Sequence, residues 1–170
     1  MLQDYLCKNL DIIFIGLNPG LLSDKTGHHF ARATNLFWTA LYEAGLVNER
    51  LKPQDDVRMN EFGYGLTNLV ARATNNIDAL SADEFVRGGK ILRKKILRYA
   101  PRLACFVGIT GYRIAYDKRA QFGAQPSSPA WGDTKIFIVP STSPRNAFYR
   151  KQTIDWFKRL KEYRDTLPNP

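Results

Sequence analysis

Hydrophobic residues are distributed along this chain in two textures. Short, unbroken apolar runs closed by turn-forming residues occur at IIFIGL (12–17), RLACFVG (102–108) and KIFIVP (135–140), with a weaker example at GLTNLV (65–70). Runs of this length that do not alternate with polar residues are what strands buried on both faces of a parallel sheet require. Between them, apolar positions recur at helical spacing. The stretch from Asn35 to Ala44 carries Phe37, Leu41 and Ala44 on one face, with Thr34 or Asn35 placed as N-cap and Gly45 as terminator. SADE at 81–84 has the form of a capping box, the following FVRGGKILRKKILRYA supplies Ile91, Leu92, Ile96 and Leu97, and Pro101 ends the helix. A shorter helix is predicted over 110–116, and a last amphipathic one over 151–165 carries Ile154, Phe157, Leu160 and Lys161. Strands alternating with helices predict an α/β protein, a three-layer α/β/α sandwich with a short, mostly parallel central sheet. No repeat, linker or low-complexity tract interrupts the pattern, so a single domain over 1–170 is expected.

Composition narrows the class. The chain has 170 residues, of which 44% are hydrophobic, enough for one continuous core. No apolar run approaches the roughly 20 residues that span a bilayer, and MLQDYLCKNL lacks the basic-then-apolar pattern of a secretory signal. The expectation is an intracellular, cytoplasmic protein without a membrane partner, nucleoid-associated in a prokaryote. Of the two cysteines, Cys7 and Cys105, the second lies inside the apolar run LACFVG, where a buried thiol is ordinary. Neither a disulfide nor a metal site is expected, because the only histidines, His28 and His29, are adjacent in one polar loop and do not complete a zinc set. No cofactor is expected either.

Charge adds a partner class. Lys and Arg number 25 against 16 Asp and Glu, a formal charge of +9 that suits a polyanion. Arg87, Lys90, Arg93, Lys94, Lys95 and Arg98 fall on the second predicted helix, where they read as a solvated face.

Candidate chemistry gathers where strands end. Open α/β sheets bind ligands outside the carboxyl ends of their strands, where GLNPG (16–20) after the first run and PSTSPR (140–145) after the last would both emerge. Gly, Asn and Pro also build plain turns, so GLNPG by itself reads equally as a strand exit. It is not a phosphate loop, since it lacks both a terminal Lys-Ser/Thr and a GxGxxG spacing.

Taken together, GLNPGLLSDKTGHHFARATNLFW (16–38), YGLTNLVARAT (64–74), SADEFVRGGKILRKKILRYAPRLACFVG (81–108) and VPSTSPRNAF (139–148) resemble the mismatch-specific uracil/thymine DNA glycosylases of the uracil-DNA glycosylase superfamily, in the right order and over most of the chain. The resemblance implies the uracil-DNA glycosylase-like sandwich. It also implies a monomer whose partner is double-stranded DNA with a mismatched or damaged pyrimidine, flipped out and cut at its N-glycosidic bond. By the same resemblance Asn18 is the catalytic residue. Its amide oxygen holds a water, but a neutral amide is a weak base, so catalysis rests on electrostatics, with backbone N–H groups after the first strand stabilising the base anion. Gly16, Leu17 and Gly20 shape the base pocket, Phe30 stacks on the flipped base and Asn35 lies in the wall. His29 matches a pocket residue of the thymine-acting branch, and Asn68 lines the pocket or orients backbone.

The resemblance also implies that Ser141, Thr142, Ser143, Pro144 and Arg145 form the element that enters the duplex. Ser141 and Ser143 meet phosphates, while Arg145 fills the gap, faces the orphaned guanine or contacts the backbone. Two departures from the family stand out: the loop lacks the Gly-Leu-Ser-Arg wedge of the uracil-preferring branch, and Ile109 stands where a Lys commonly follows Gly108. No Lys is placed for a Schiff base, so strand cleavage is not expected. Asp24 is the only carboxylate near the two loops and a minor contributor at most. Lys25, Arg32, Arg145, Arg150 and Lys151 make up the expected basic footprint. A catalytically silent damaged-DNA recognition module is the alternative that the sequence leaves open, and a small-nucleotide enzyme is the third reading.

Overall fold

The computed structural model describes residues 1–169. Strand β1 (Ile12–Gly16) is followed by helices α1 (Leu21–Thr26) and α2 (Phe37–Glu43), a 3₁₀ segment at Pro53–Phe62, and strand β2 (Tyr64–Asn68). Helix α3 (Ala82–Tyr99), strand β3 (Leu103–Val107), helix α4 (Thr110–Ala115), and strands β4 (Gly123–Ala124) and β5 (Lys135–Val139) come next. A 3₁₀ turn at Pro144–Tyr149 leads into α5 (Arg150–Thr166). The strands form one sheet in the order β2-β1-β3-β5-β4, parallel except for the short edge strand β4.

The period-2 geometry of a strand sends successive side chains to opposite faces, and here both faces are covered. Ile12, Phe14, Cys105, Phe137 and Val139 meet α2 and α5 through Phe37, Leu41, Phe157 and Leu160. Ile13, Ile15, Ala104, Phe106 and Ile138 meet α3 and α4 through Phe85, Leu92, Ile96 and Tyr112. Each of the fully buried Ile, Leu, Val and Phe side chains among them contributes about 1.5–3 kcal/mol. This is the expected three-layer sandwich with a mostly parallel sheet. Cys105 is fully buried in β3, where desolvation pushes its thiol pKa well up, whereas Cys7 is exposed. Among the described residues no helix is long and apolar enough to cross a membrane.

Several elements differ from the sequence expectations. Helix α2 begins at Phe37 rather than Asn35, but Asn35 still acts at its start, its Oδ1 accepting the Phe37 N–H at 3.0 Å. Gly45, at φ 74°, makes the turn beyond its end. Helix α3 carries the full capping box of Ser81 and Glu84, but its buried stripe is Phe85, Gly89, Leu92 and Ile96. Ile91 and Leu97 stand 57% and 48% exposed, one step off that stripe. The basic face of α3 is not uniformly solvated: Arg93 covers the Trp131 and Tyr116 rings at 4.8 and 5.0 Å, and Lys95 pairs with Asp4 at 2.6 Å. Helix α1 has no counterpart in the sequence reading, because Leu21 and Leu22 are exposed and no apolar stripe marks it.

The glycine pair inside α3 is a packing device. A Cβ at Gly88 would lie 2.2 Å from the Leu69 carbonyl oxygen, in the segment that leaves β2. Helix propensity alone makes Gly→Ala stabilising by about 1 kcal/mol in a helix interior. Gly88→Ala should instead destabilise by about 1–3 kcal/mol, the range for overpacking, and the drop in Tm on thermal denaturation checks the sign.

Candidate active site

At the carboxyl edge of the sheet a cleft of about 780 Å³ opens among the loops that follow β1, β2, β3 and β5. Parallel register places Gly16 opposite Asn68 at the ends of β1 and β2. The approach is close: a Cβ at Gly16 would lie 2.5 Å from Asn68 Oδ1. Beyond the strands the two chains keep pairing, with the N–H groups of Leu69, Val70 and Thr74 donating to the carbonyls of Gly16, Leu17 and Pro19 at 2.8, 2.9 and 3.0 Å. The loop after β1 is therefore held by the loop after β2.

Asn18 sits in this seam and lines the cleft. Its Nδ2 donates to the Arg72 carbonyl and to Thr74 Oγ1, both at 2.9 Å, and more weakly to the Pro19 carbonyl at 3.3 Å. Carbonyl oxygens only accept, so this end of the amide must be the nitrogen. No protein donor reaches its Oδ1 among the described residues. Thr74 is committed in turn, its hydroxyl donating to the Asn76 carbonyl at 3.0 Å. Arg72 is clamped by Glu84, Nε to Oε1 at 2.6 Å and Nη2 to Oε2 at 3.0 Å, and by the Ala79 carbonyl. The Arg72 guanidinium, with the Ser81 backbone N–H, holds the Glu84 carboxyl down to about 2. The N-terminal turn of α3 thus supports the loop that orients Asn18.

His29, expected in a polar loop with its neighbour, is 2% exposed, while His28 remains partly exposed. The fully buried carboxylate of Asp56 holds both residues, Oδ2 accepting the His29 backbone N–H at 2.8 Å and Oδ1 lying 3.1 Å from His28 Nδ1, while the His29 ring turns inward beside Tyr5 and Phe30. His29 Nε2 faces the Gln3 carbonyl at 2.7 Å and must donate to it, which leaves Nδ1 of the neutral ring as an acceptor. Phe30 stacks on Phe37 with centroids 4.0 Å apart and also lines the cleft, so its ring is both core contact and wall. Its φ of 49° is left-handed, a cost of about 1–2 kcal/mol for a non-glycine residue. That stacking and the Trp38 Nε1–H bond to the Phe30 carbonyl at 3.2 Å oppose the cost. Asn35 lines the cleft as well, although its oxygen is spent on the start of α2.

The loop after β5 faces the loop after β2 across the cleft. Ser141 Oγ accepts the Ser143 N–H at 3.2 Å and Ser143 Oγ accepts the Arg145 N–H at 3.4 Å, which leaves both hydroxyl protons free to donate. Pro144 opens the 3₁₀ turn behind the Ser143 cap. Thr142 also lines the cleft but is 2% exposed, and its carbonyl holds the Leu36 N–H at 2.9 Å. Arg145 reaches across to the Asn75 carbonyl and Asn76 Oδ1 at 3.2 and 3.4 Å. Asp24 is absent from the cleft lining, and its carboxylate lies 3.3 Å from the Met1 amine. Gly20 and Leu17 line the cleft, and Ile109 lines it while also packing on the core. Of the expected basic footprint, Arg32 and Arg145 lie on the cleft, Arg150 is drawn to Glu43 at 3.7 Å, and Lys25 and Lys151 are exposed.

The sequence reading missed Arg72, Thr74, Asn76, Asp56 and Glu84 as parts of the site. Only Glu84 carried a local signal, its capping box, and that pointed to helix initiation alone. Among the described residues no three His, Cys, Asp or Glu side chains converge as a metal site. A family model described as the uracil DNA glycosylase superfamily matches residues 3–165.

Burial of the His29 ring lowers its pKa below the ordinary histidine value of 6.5, against the opposing pull of the Gln3 carbonyl and the Asp56 carboxylate. The unfolded chain therefore takes up the proton first as pH falls, and folded stability declines below about pH 6.5. The urea midpoint should drop between pH 7.5 and 5.5, and the drop should shrink in His29→Asn.

Proposed function

The chain belongs to the uracil DNA glycosylase superfamily, a family of hydrolases that act on uracil in DNA, and from that premise we propose that it is a monofunctional mismatch-specific glycosylase. Its substrate is uracil, and by extension thymine or a modified pyrimidine, opposite guanine in double-stranded DNA, and its product is an abasic site for base excision repair. The observation that carries this reading is the fixed orientation of Asn18. With its nitrogen held by two strong acceptors, the amide presents its oxygen as the end left to hold a water.

In this mechanism the flipped nucleotide enters the cleft and the ring of Phe30 offers a stacking face to the base. The C1′–N bond breaks with the electron pair leaving on the base, giving an oxocarbenium-like sugar and an anionic pyrimidine. Asn18 and Gly20 line the cleft, and their N–H groups, which have no protein acceptor among the described residues, are the donors left to stabilise that anion. The water oriented by Asn18 Oδ1 adds to C1′ and its proton passes to solvent. Asn68 and the acceptor nitrogen of His29 supply polar groups for the edge of the base. With no carboxylate engaged, the acceleration rests on electrostatics and positioning, and turnover is slow.

Single-turnover base release from G·U, A·U and G·T duplexes and from single-stranded uracil DNA tests the proposal. Asn18→Ala should slow release about 100-fold or more while DNA affinity persists. Thr74→Val should cost on the order of tenfold, the loss of one positioning hydrogen bond, and Thr74→Ser should restore it. Wild-type protein that binds these duplexes in a salt-sensitive way but releases no base would make it a damaged-DNA recognition module instead.

A further inference from the structure

Duplex DNA closes behind a flipped nucleotide unless something occupies the vacated stack, and filling that gap is one of the three roles expected of Arg145, beside facing the orphaned guanine or contacting the backbone. The structure gives Arg145 other work. Its guanidinium reaches across the cleft to the Asn75 carbonyl and Asn76 Oδ1, joining the loop after β5 to the loop after β2. Three residues further along the same 3₁₀ turn, Phe148 is 89% exposed, whereas the next most exposed phenylalanine, Phe122, is at 38%. Phe148 has one aromatic neighbour, Tyr149, which it meets edge-on with centroids 5.2 Å apart. Tyr149 in turn lines the cleft, and Phe148 is its neighbour in the chain, one residue outside that lining. Arg145, Arg150 and Lys151 surround it in sequence and are all exposed, a cationic setting for an apolar side chain.

From this arrangement we propose that Phe148 is the side chain that enters the base stack, while Arg145 remains a strap across the cleft. The inference rests on the glycosylase reading for its substrate and deepens it. An apolar wedge unstacks a base step and fills the space that the flipped nucleotide leaves, and a flat ring stacks on any exposed base face, the orphaned guanine included. A polyanion on both sides of the insertion point suits the flanking cations. Neither role needs Phe148 for folding, because its ring contacts no core cluster.

The two side chains have opposite signatures. Phe148 acts only where a stack exists, so Phe148→Ala should lose on the order of tenfold or more in single-turnover release from a G·U duplex. Release from single-stranded uracil DNA should change little, and Phe148→Trp should retain most duplex activity. Arg145→Met loosens the cleft itself and should slow release from both substrates. A binding measurement separates this proposal from the reaction it rests on. Wild-type protein should hold a duplex with a tetrahydrofuran abasic site opposite guanine more tightly than Phe148→Ala does at matched salt, with no difference on the single strand. Equal affinities, or equal losses on duplex and single strand, overturn the plug and leave the glycosylase reading intact. An affinity difference in a protein that releases no base overturns the glycosylase reading and keeps the plug.

Discussion

Strands that run parallel deliver their carboxyl ends to the same edge of a sheet, and here the matched endings of β1, β2, β3 and β5 position everything that could do chemistry. The register that sets Gly16 against Asn68 continues past the last strand residues as three further backbone hydrogen bonds. A turn of Gly, Asn and Pro would otherwise be free to reshape. Zipped to the loop after β2, it acquires a single conformation, and the amide of Asn18 inherits that rigidity through Arg72 and Thr74. A neutral amide has little intrinsic basicity, so whatever it contributes comes from being held in place before the substrate arrives.

That support reaches well beyond the cleft. Glu84 closes the capping box of α3 and grips Arg72 with the same carboxylate, so the start of an 18-residue helix and the orientation of a side chain on β1's loop share one group. The absence of a side chain at Gly88 serves the same region, letting α3 sit against the Leu69 carbonyl just where the loop after β2 sets out. Asp56 does for the His28–His29 segment what Glu84 does for Arg72. In each case a carboxylate is spent on holding backbone and a neighbouring side chain in place, and among the described residues no carboxylate lines the cleft.

Much of the fold was legible in the sequence because the relevant signals are local. Ile12–Gly16, Leu103–Val107 and Lys135–Val139 are buried on both faces, and a strand in that environment is written as an uninterrupted apolar run. Asn18, Phe30 and Asn35 were legible through the motif that contains them, and all three line the cleft. The partners of Asn18 were not, since they lie 54 and 56 residues away and one contributes only its carbonyl, which any residue type could supply. His29 looked like surface because its loop is polar, and its burial depends on Gln3 and Asp56, each 26 or 27 positions distant. Leu21 and Leu22 hid α1 by facing outward, while Ile91 and Leu97 misled by lying beside the buried stripe of α3 rather than on it.

The two cysteines give this fold an internal clock. Cys7 is exposed and open to reagents, whereas Cys105 lies at the centre of the sheet, fully buried, with its thiolate strongly disfavoured. An alkylating reagent added to native protein meets one sulfur immediately and the second only when β3 parts from its neighbours. The lag between the first and second adduct in a mass spectrum therefore reads the opening of the central sheet without any engineered label: its rate where the reagent outpaces reclosing, its equilibrium where reclosing is faster.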